Sequence, residues 1–156
     1  MPMSGQGVAS GWNREHVWPK SYGVGYTGAD TSDLHSLRAA DWNVNSARGN
    51  KFFDDCFSSE CQSPAHPEAS DDTATRPGAF MPPADVRGDL ARSIFYMALR
   101  YEGDESQSTD LKLCELPDAE LQHMGILSTM LEWHEQDPPS QDEIARNGLV
   151  CSEYQV

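Results

Sequence analysis

Basic residues are scarce in this chain: 11 lysines and arginines stand against 25 aspartates and glutamates among 156 residues, for a formal net charge of -14. Such a balance argues against a uniformly basic, polyanion-coating protein. Long hydrophobic runs are missing too. No apolar stretch approaches the ~20 residues of a membrane-spanning helix, so no membrane partner is expected. The opening stretch MPMSGQGVASG lacks a basic region followed by an apolar core, so no signal peptide is expected in this chain. Internal repeats are lacking, which excludes solenoids and propellers. What remains is a globular composition, 38% hydrophobic and 23% charged, long enough for one domain and too short for two comfortable ones.

The acidity is unevenly spread. Residues 1–53 hold five basic and four acidic side chains, whereas the remainder holds six basic and 21 acidic. A polyanion, if one binds, belongs to the first third. The four cysteines, Cys56, Cys61, Cys114 and Cys151, admit three pairings. Pairing 56–61 across the loop FSSE and 114–151 between predicted helix ends is favoured, implying an oxidising compartment. The alternatives are a zinc site from Cys56, Cys61 and His66, which lacks a second close ligand pair, or four free thiols.

Residues 1–10 read as a flexible lead-in. GWNREHVWP (Gly11 to Pro19) reads as a strand ended by its proline, SYGVGYTGADTSD as a loop, and Leu34 to Ala40 as a second short strand. Asp41 to Asn50 fits a short helix, with Asp41 as N-cap and Gly49 near the end. Residues 54–83 show no clear period and read as a long surface excursion. Val86, Leu90, Ile94, Met97, Ala98 and Tyr101 recur at helical spacing from Asp85 onward. A second helix is predicted over Asp118 to Glu135, with Leu121, Met124, Leu127, Leu131 and His134 on one stripe. A third starts near Ser140, which has capping-box spacing to Glu143 and puts Ile144, Asn147 and Cys151 on one face. His134 lies outside any H-E-x-x-H motif and reads as structural. The expectation is an α+β fold: a strand-strand-helix unit, a loop region, and a helical layer.

The chemistry concentrates in NREHVWP, Asn13 to Pro19. Glu15 is a natural ligand for a hard cation, and His16 is a natural general base near neutral pH. Adjacent residues on a regular strand point to opposite faces, so a shared site requires a bulge or the strand's end. Asn43, Asn45 and Asn50 crowd the following helix together with Arg48. Asn43 and Asn50 can serve as turn or cap residues, but Asn45 is harder to explain structurally. Glu15 and Asn45 suffice as protein ligands for Mg2+, which keeps several waters. Arg48 shares a helix face with Asn45 and can hold a phosphate oxygen. The competing account makes Glu15 and Arg48 a surface ion pair, with His16 packed beside Trp18.

Four blocks in order carry a resemblance: WNREHVWPKSYG, DLHSLRAADWNVNSARGN, MPPADVRGDLARSIFYMALRYEG and MLEWHEQDPPSQDEIARNGLVCSEYQ. Together they resemble the endonuclease I family of secreted or periplasmic non-specific nucleases, in the ββα-metal (His-Me finger) superfamily. The resemblance implies a ββα-metal nuclease core packed with a mostly helical layer. Residues 1–156 would form a single nuclease domain, with the ββα-metal motif in 1–53, the loop region in 54–83 and the helical layer in 84–156. It implies His16 as general base, Glu15 and Asn45 as metal ligands, and Arg48 and Asn50 shaping the site or touching phosphate. His35 would be a supporting residue.

The implied activity is Mg2+-dependent cleavage of DNA, and of RNA, with little sequence preference and 5′-phosphate products. Mn2+ or Ca2+ could substitute for Mg2+. A monomer acting on nucleic acid through its phosphates, secreted or periplasmic, is expected. Arg38 and Ala39 stand where family members often carry an apolar residue and proline. Members also carry segments before the first motif strand and past Gln155, so this chain is expected to be an excerpt or a trimmed form. Two other functions remain open to test: a non-catalytic nucleic-acid- or metal-binding remnant of such a nuclease, and an acidic extracellular protein that binds Ca2+ loosely.

Overall fold

Strand β1 (Trp12–His16) pairs antiparallel with β2 (Leu37–Asp41), placing Trp12 opposite Asp41, Glu15 opposite Arg38 and His16 opposite Leu37. The computed structural model describes residues 11–103 and 109–154, so the lead-in expected at 1–10 lies outside the described residues. Helix α2 (Trp42–Arg48) follows β2 without a connecting loop. Asp41 makes this possible, being both the last strand residue and the helix N-cap. Its Oδ1 accepts the amides of Asn43 at 2.9 Å and Val44 at 3.1 Å. Gly49 ends the helix at φ 59, a conformation that favours glycine, and its N–H returns to the Asn45 carbonyl at 2.8 Å.

The span between β1 and β2 is more structured than a loop. It holds a 3-10 turn at Lys20–Tyr22 and a one-turn helix, α1 (Ala29–Ser32). The second strand begins at Leu37 rather than Leu34, because Asp33 accepts the His35 amide and ties the preceding residues into a turn.

The expected excursion at 54–83 contains a sheet. Strand β3 (Phe52–Phe53) runs parallel to β5 (Ala79–Met81), and β4 (Ala74–Arg76) pairs antiparallel to β5. These strands are two or three residues long, and β5 is buried throughout, so they show no alternation to read. The Cys56–Cys61 disulfide forms within this region.

Helix α3 (Arg87–Arg100) buries Leu90, Ile94 and Met97, as its spacing predicts, and Ala91 besides. Helix α4 is shorter than expected, Leu127–Gln136, and its buried face is Thr129, Met130 and Trp133. Leu121 and Leu131 of the predicted stripe are exposed. Residues 118–126 turn back on themselves instead. Asp118 Oδ1 accepts the amides of Glu120 and Leu121, and Met124 bridges to Leu113. The start of α3 packs closely against the end of α4: a Cβ on Gly88 would lie 2.0 Å from the Asp137 carbonyl oxygen.

Helix α5 (Gln141–Tyr154) starts where predicted, and Ser140 Oγ accepts the Glu143 amide at 3.1 Å. Its face is read differently, however: Ile144 and Cys151 are exposed and Val150 is buried. The favoured 114–151 disulfide is corrected here, since Cys114 and Cys151 are both free thiols. Cys114 is half-buried, its backbone tied to Met124 and Leu127, while Cys151 faces solvent one turn from Asn147. His134 is structural as expected, beside Arg92 and edge-on to Phe95. The fold is thus α+β. Among the described residues no helix is long and apolar enough to cross a membrane.

Candidate active site

The β1–β2 register runs unbroken through His16, so no bulge brings Glu15 and His16 together. The strand's end does. Val17, Trp18 and Pro19 are buried, and the chain then enters the turn at Lys20–Tyr22. Trp18 anchors that turn, donating Nε1–H to the Tyr22 carbonyl at 2.7 Å. His16 is therefore the last residue before the chain leaves the sheet plane. Glu15, His16, Asn45, Arg48 and Asn50 all line one open cavity of about 370 Å³.

His16 Nε2 lies 3.0 Å from the Thr31 carbonyl oxygen. A carbonyl can only accept, so the neutral ring carries its proton on Nε2 and leaves Nδ1 as the basic nitrogen. Thr31 sits in α1, where the buried Asp30 accepts its amide at 2.9 Å and steadies the peptide. Burial lowers the pKa of His16 from the ordinary histidine value. The Thr31 hydrogen bond opposes this, and the charges of Lys20, Arg14 and Arg48 lower it further. The ring is accordingly held neutral near pH 7.

Arg48 is not a surface group. Its side chain is 3% exposed, and its donors are committed: Nε to the Lys51 carbonyl, Nη1 to Glu15 and the His16 carbonyl, Nη2 to the Val17 carbonyl. The guanidinium also stacks 4.3 Å over the Phe53 ring. The ion pair anticipated as a surface alternative thus exists, but inside the protein, where it fixes the end of β1. Burial pushes the Glu15 carboxyl up from the usual glutamate range, outweighing the downward pull of Arg48 and Asn45.

The Asn45 amide donates to Asn13 Oδ1 at 2.8 Å, and it lines the same cavity as the Glu15 carboxylate. Carboxylate and amide thus border the same space. A half-turn of the amide presents its oxygen, and Asn13 can follow because its own amide offers either end. Among the described residues no three His, Cys, Asp or Glu side chains are placed to hold a metal. A cation here would rest on Glu15, Asn45 and water, the sparse set that Mg2+ accepts.

His35 is elsewhere. It packs tilted against Tyr96 with ring centroids 4.3 Å apart and lines a different cavity. Asn50 does reach the site, where Nδ2 donates to Ser21 Oγ at 3.3 Å. The residues missed by motif reasoning are Arg14, Lys20 and Tyr26, which line the same cavity. With Arg48 they give the site three cations against the single carboxylate of Glu15. The basic excess of the first third of the sequence was the signal that pointed to them.

The Endonuclease I family model matches residues 3–155. The chain is 40% identical over 151 residues to an extracellular ribonuclease of Bacillus amyloliquefaciens and to one of Bacillus subtilis (strain 168). Each match covers 96% of this chain and 50% of the relative, so the chain spans half the length of the curated relatives it matches.

Proposed function

The chain belongs to the endonuclease I family, and we propose that it is a metal-dependent, sequence-non-specific endonuclease whose strand-strand-helix unit is a ββα-metal core. The substrates are DNA and RNA, cut to 5′-phosphate products, and residues 1–156 act as one nuclease domain. The relatives' names, extracellular ribonuclease, support RNA as a substrate and a location outside the cell. One observation carries the reading: Glu15, His16 and Asn45 line one cavity whose walls also hold Arg14, Lys20 and Arg48.

His16 Nδ1 takes the proton of the attacking water. The Thr31 carbonyl holds the ring in the tautomer this requires. Lys20 and Arg14 attract the phosphodiester and raise its local concentration. Arg48 acts as a positioning residue, holding the Glu15 carboxylate and the His16 carbonyl. Glu15 and Asn45 would hold a Mg2+ ion, with Mn2+ or Ca2+ as substitutes. Such an ion, when bound, neutralises charge on the phosphate and the departing 3′ oxygen.

The test is plasmid and RNA degradation with Mg2+ and with chelator, for the chain and for His16→Ala. Cleavage should require metal and be lost in the variant, while DNA binding persists. Nicking that survives chelation, or a fully active variant, overturns the proposal. Binding without any nicking by the unmodified chain identifies a non-catalytic remnant.

A further inference from the structure

A second cavity, of about 310 Å³, opens between the start of β2, α3 and α5, and contains no residue of the His16 cavity. Two arginines from distant parts of the chain converge on its wall. Arg38 Nη1 donates to the Leu37 carbonyl at 3.2 Å, and Arg146 Nη2 donates to that same oxygen at 3.1 Å. Sharing one acceptor places the two nitrogens within about 6 Å of each other. Arg146 also bonds the Leu34 carbonyl, and Arg38 bonds the His35 carbonyl and Ser93 Oγ. Like charges this close cost energy unless a counter-charge sits between or beside them.

No carboxylate of the described residues touches either guanidinium; Asp33, Asp89 and Glu143 act on them at longer range. Among the described residues neither arginine forms an ion pair, and the Nε and Nη1 of Arg146 make no protein hydrogen bond. The carboxylates nearby are occupied. Glu143, which lines the cavity, is gripped at both oxygens by Arg92, at 2.7 and 2.6 Å. Asp89 accepts from the same Arg92, and its carboxyl is pushed up to about 6. Asp33 is buried and holds the hydroxyls of Tyr96 and Tyr101. Burial and the neighbouring Arg146 together lower Arg38 to about 10, outweighing the upward pull of Asp89 and Glu143. His35 and Ser93 complete the wall with further donors.

We propose that the Arg38–Arg146 pair, with His35 and Ser93, forms a second oxyanion-binding site whose ligand is a phosphate group. Arg38 is the cross-strand neighbour of Glu15, so one strand pair carries a residue of each site. A backbone phosphate of a bound strand and free inorganic phosphate share the chemistry. Taking the strand as the source rests on the nuclease reading, whereas the oxyanion site itself does not.

The experiment has two arms, on the whole chain. In the first, inorganic phosphate is titrated against a chloride control of equal ionic strength and thermal unfolding is followed. Saturable stabilisation is expected, weakened at least tenfold in affinity in Arg38→Gln and in Asn147→Asp. The second variant adds a negative charge to the cavity rim without touching either guanidinium's bonds, so it stays informative if the first fails to fold. No response beyond the chloride control, or a response in both variants equal to that of the unmodified chain, overturns the site. In the second arm, binding of a single-stranded oligonucleotide in chelator is measured against salt. A slope reduced by ~0.7 in Asn147→Asp identifies a strand phosphate as the ligand. An unchanged slope with the phosphate response intact assigns the site to free phosphate. Failure of the oligonucleotide to bind while phosphate binds removes the nuclease reading and leaves the site standing.

Discussion

Arg48 Nη1 lies 2.5 Å from Glu15 Oε1, and the same nitrogen donates to the His16 carbonyl at 3.0 Å. One buried cation thus fixes both members of the adjacent pair, the acid through its side chain and the histidine through its backbone. Arg48→Met would leave the Glu15 carboxylate buried and unpaired and three backbone carbonyls without their donor. Removing one partner of a buried pair costs ~3–5 kcal/mol. The expected result is a large loss of thermal stability together with lost cleavage. Arg48→Lys should restore little, because an ammonium cannot reach those acceptors as a planar fork does. Urea unfolding of both variants checks this; a shift below ~1 kcal/mol in either would mean the pair is not holding the strand's end.

In the proposed mechanism His16 sets the pH dependence. Its folded pKa is lowered, chiefly by burial and further by Lys20, Arg14 and Arg48. The base is active when unprotonated, so the acid limb of kcat/KM is expected below the ordinary histidine pKa of ~6.5. The same shift bears on stability. Below the unfolded-state value the unfolded chain binds a proton that the folded chain resists, so stability falls as pH drops through the window between the two values. His16→Ala should lose ~10²–10⁴-fold in rate and should flatten that limb in any residual activity. Lys20→Ala should move the limb upward, toward the ordinary value, by removing a repelling charge. A limb that stays put in Lys20→Ala would show that the Lys20 charge does not reach the ring.

Much of this site was legible in the sequence because its residues are close in the chain to strong local signals. Asp41 and Gly49 mark the ends of α2, and the helix then carries Asn45 and Arg48 to the strand that bears Glu15 and His16. What was not legible depends on tertiary context. Nothing in the sequence says that Arg48 points inward or that the Thr31 carbonyl meets the His16 ring. His35 sits only two residues from β2, yet Tyr96 draws it into another cavity. The sheet of β3, β4 and β5 escaped notice because very short buried strands have no period. The 118–126 segment looked helical because leucine and methionine spacing ignores what an aspartate at its head does to the backbone amides.

Asn45 gives a test that separates ion binding from folding. Its amide donates to Asn13 and lines the cavity with Glu15, but caps nothing and carries no charge. Asn45→Ala should therefore raise the Mg2+ concentration needed for half-maximal cleavage, by tenfold or more, while costing about 1 kcal/mol of stability. Glu15→Gln should raise it further, and also strands the Arg48 charge. Titration of activity with Mg2+ at fixed substrate reads both. An unchanged metal requirement in Asn45→Ala would exclude it as a ligand.

Thiol chemistry distinguishes the two pairs of cysteines. Cys56 and Cys61 are five residues apart and joined, so the disulfide closes a small loop. The chain-entropy argument gives such a loop about 2 kcal/mol. Reduction, or Cys56→Ser with Cys61→Ser, should lower the melting temperature by roughly 4–8 °C at the ~2–4 °C per kcal/mol of a chain this size. The other two cysteines should react with a thiol reagent in the native, non-reduced protein, Cys151 faster because it is exposed and Cys114 more slowly because it is half-buried. Mass spectrometry of the labelled chain counts them. Two labels, on Cys114 and Cys151, are expected. No label on either would bring back the 114–151 bridge, and would require α5 to move toward the segment that holds Cys114.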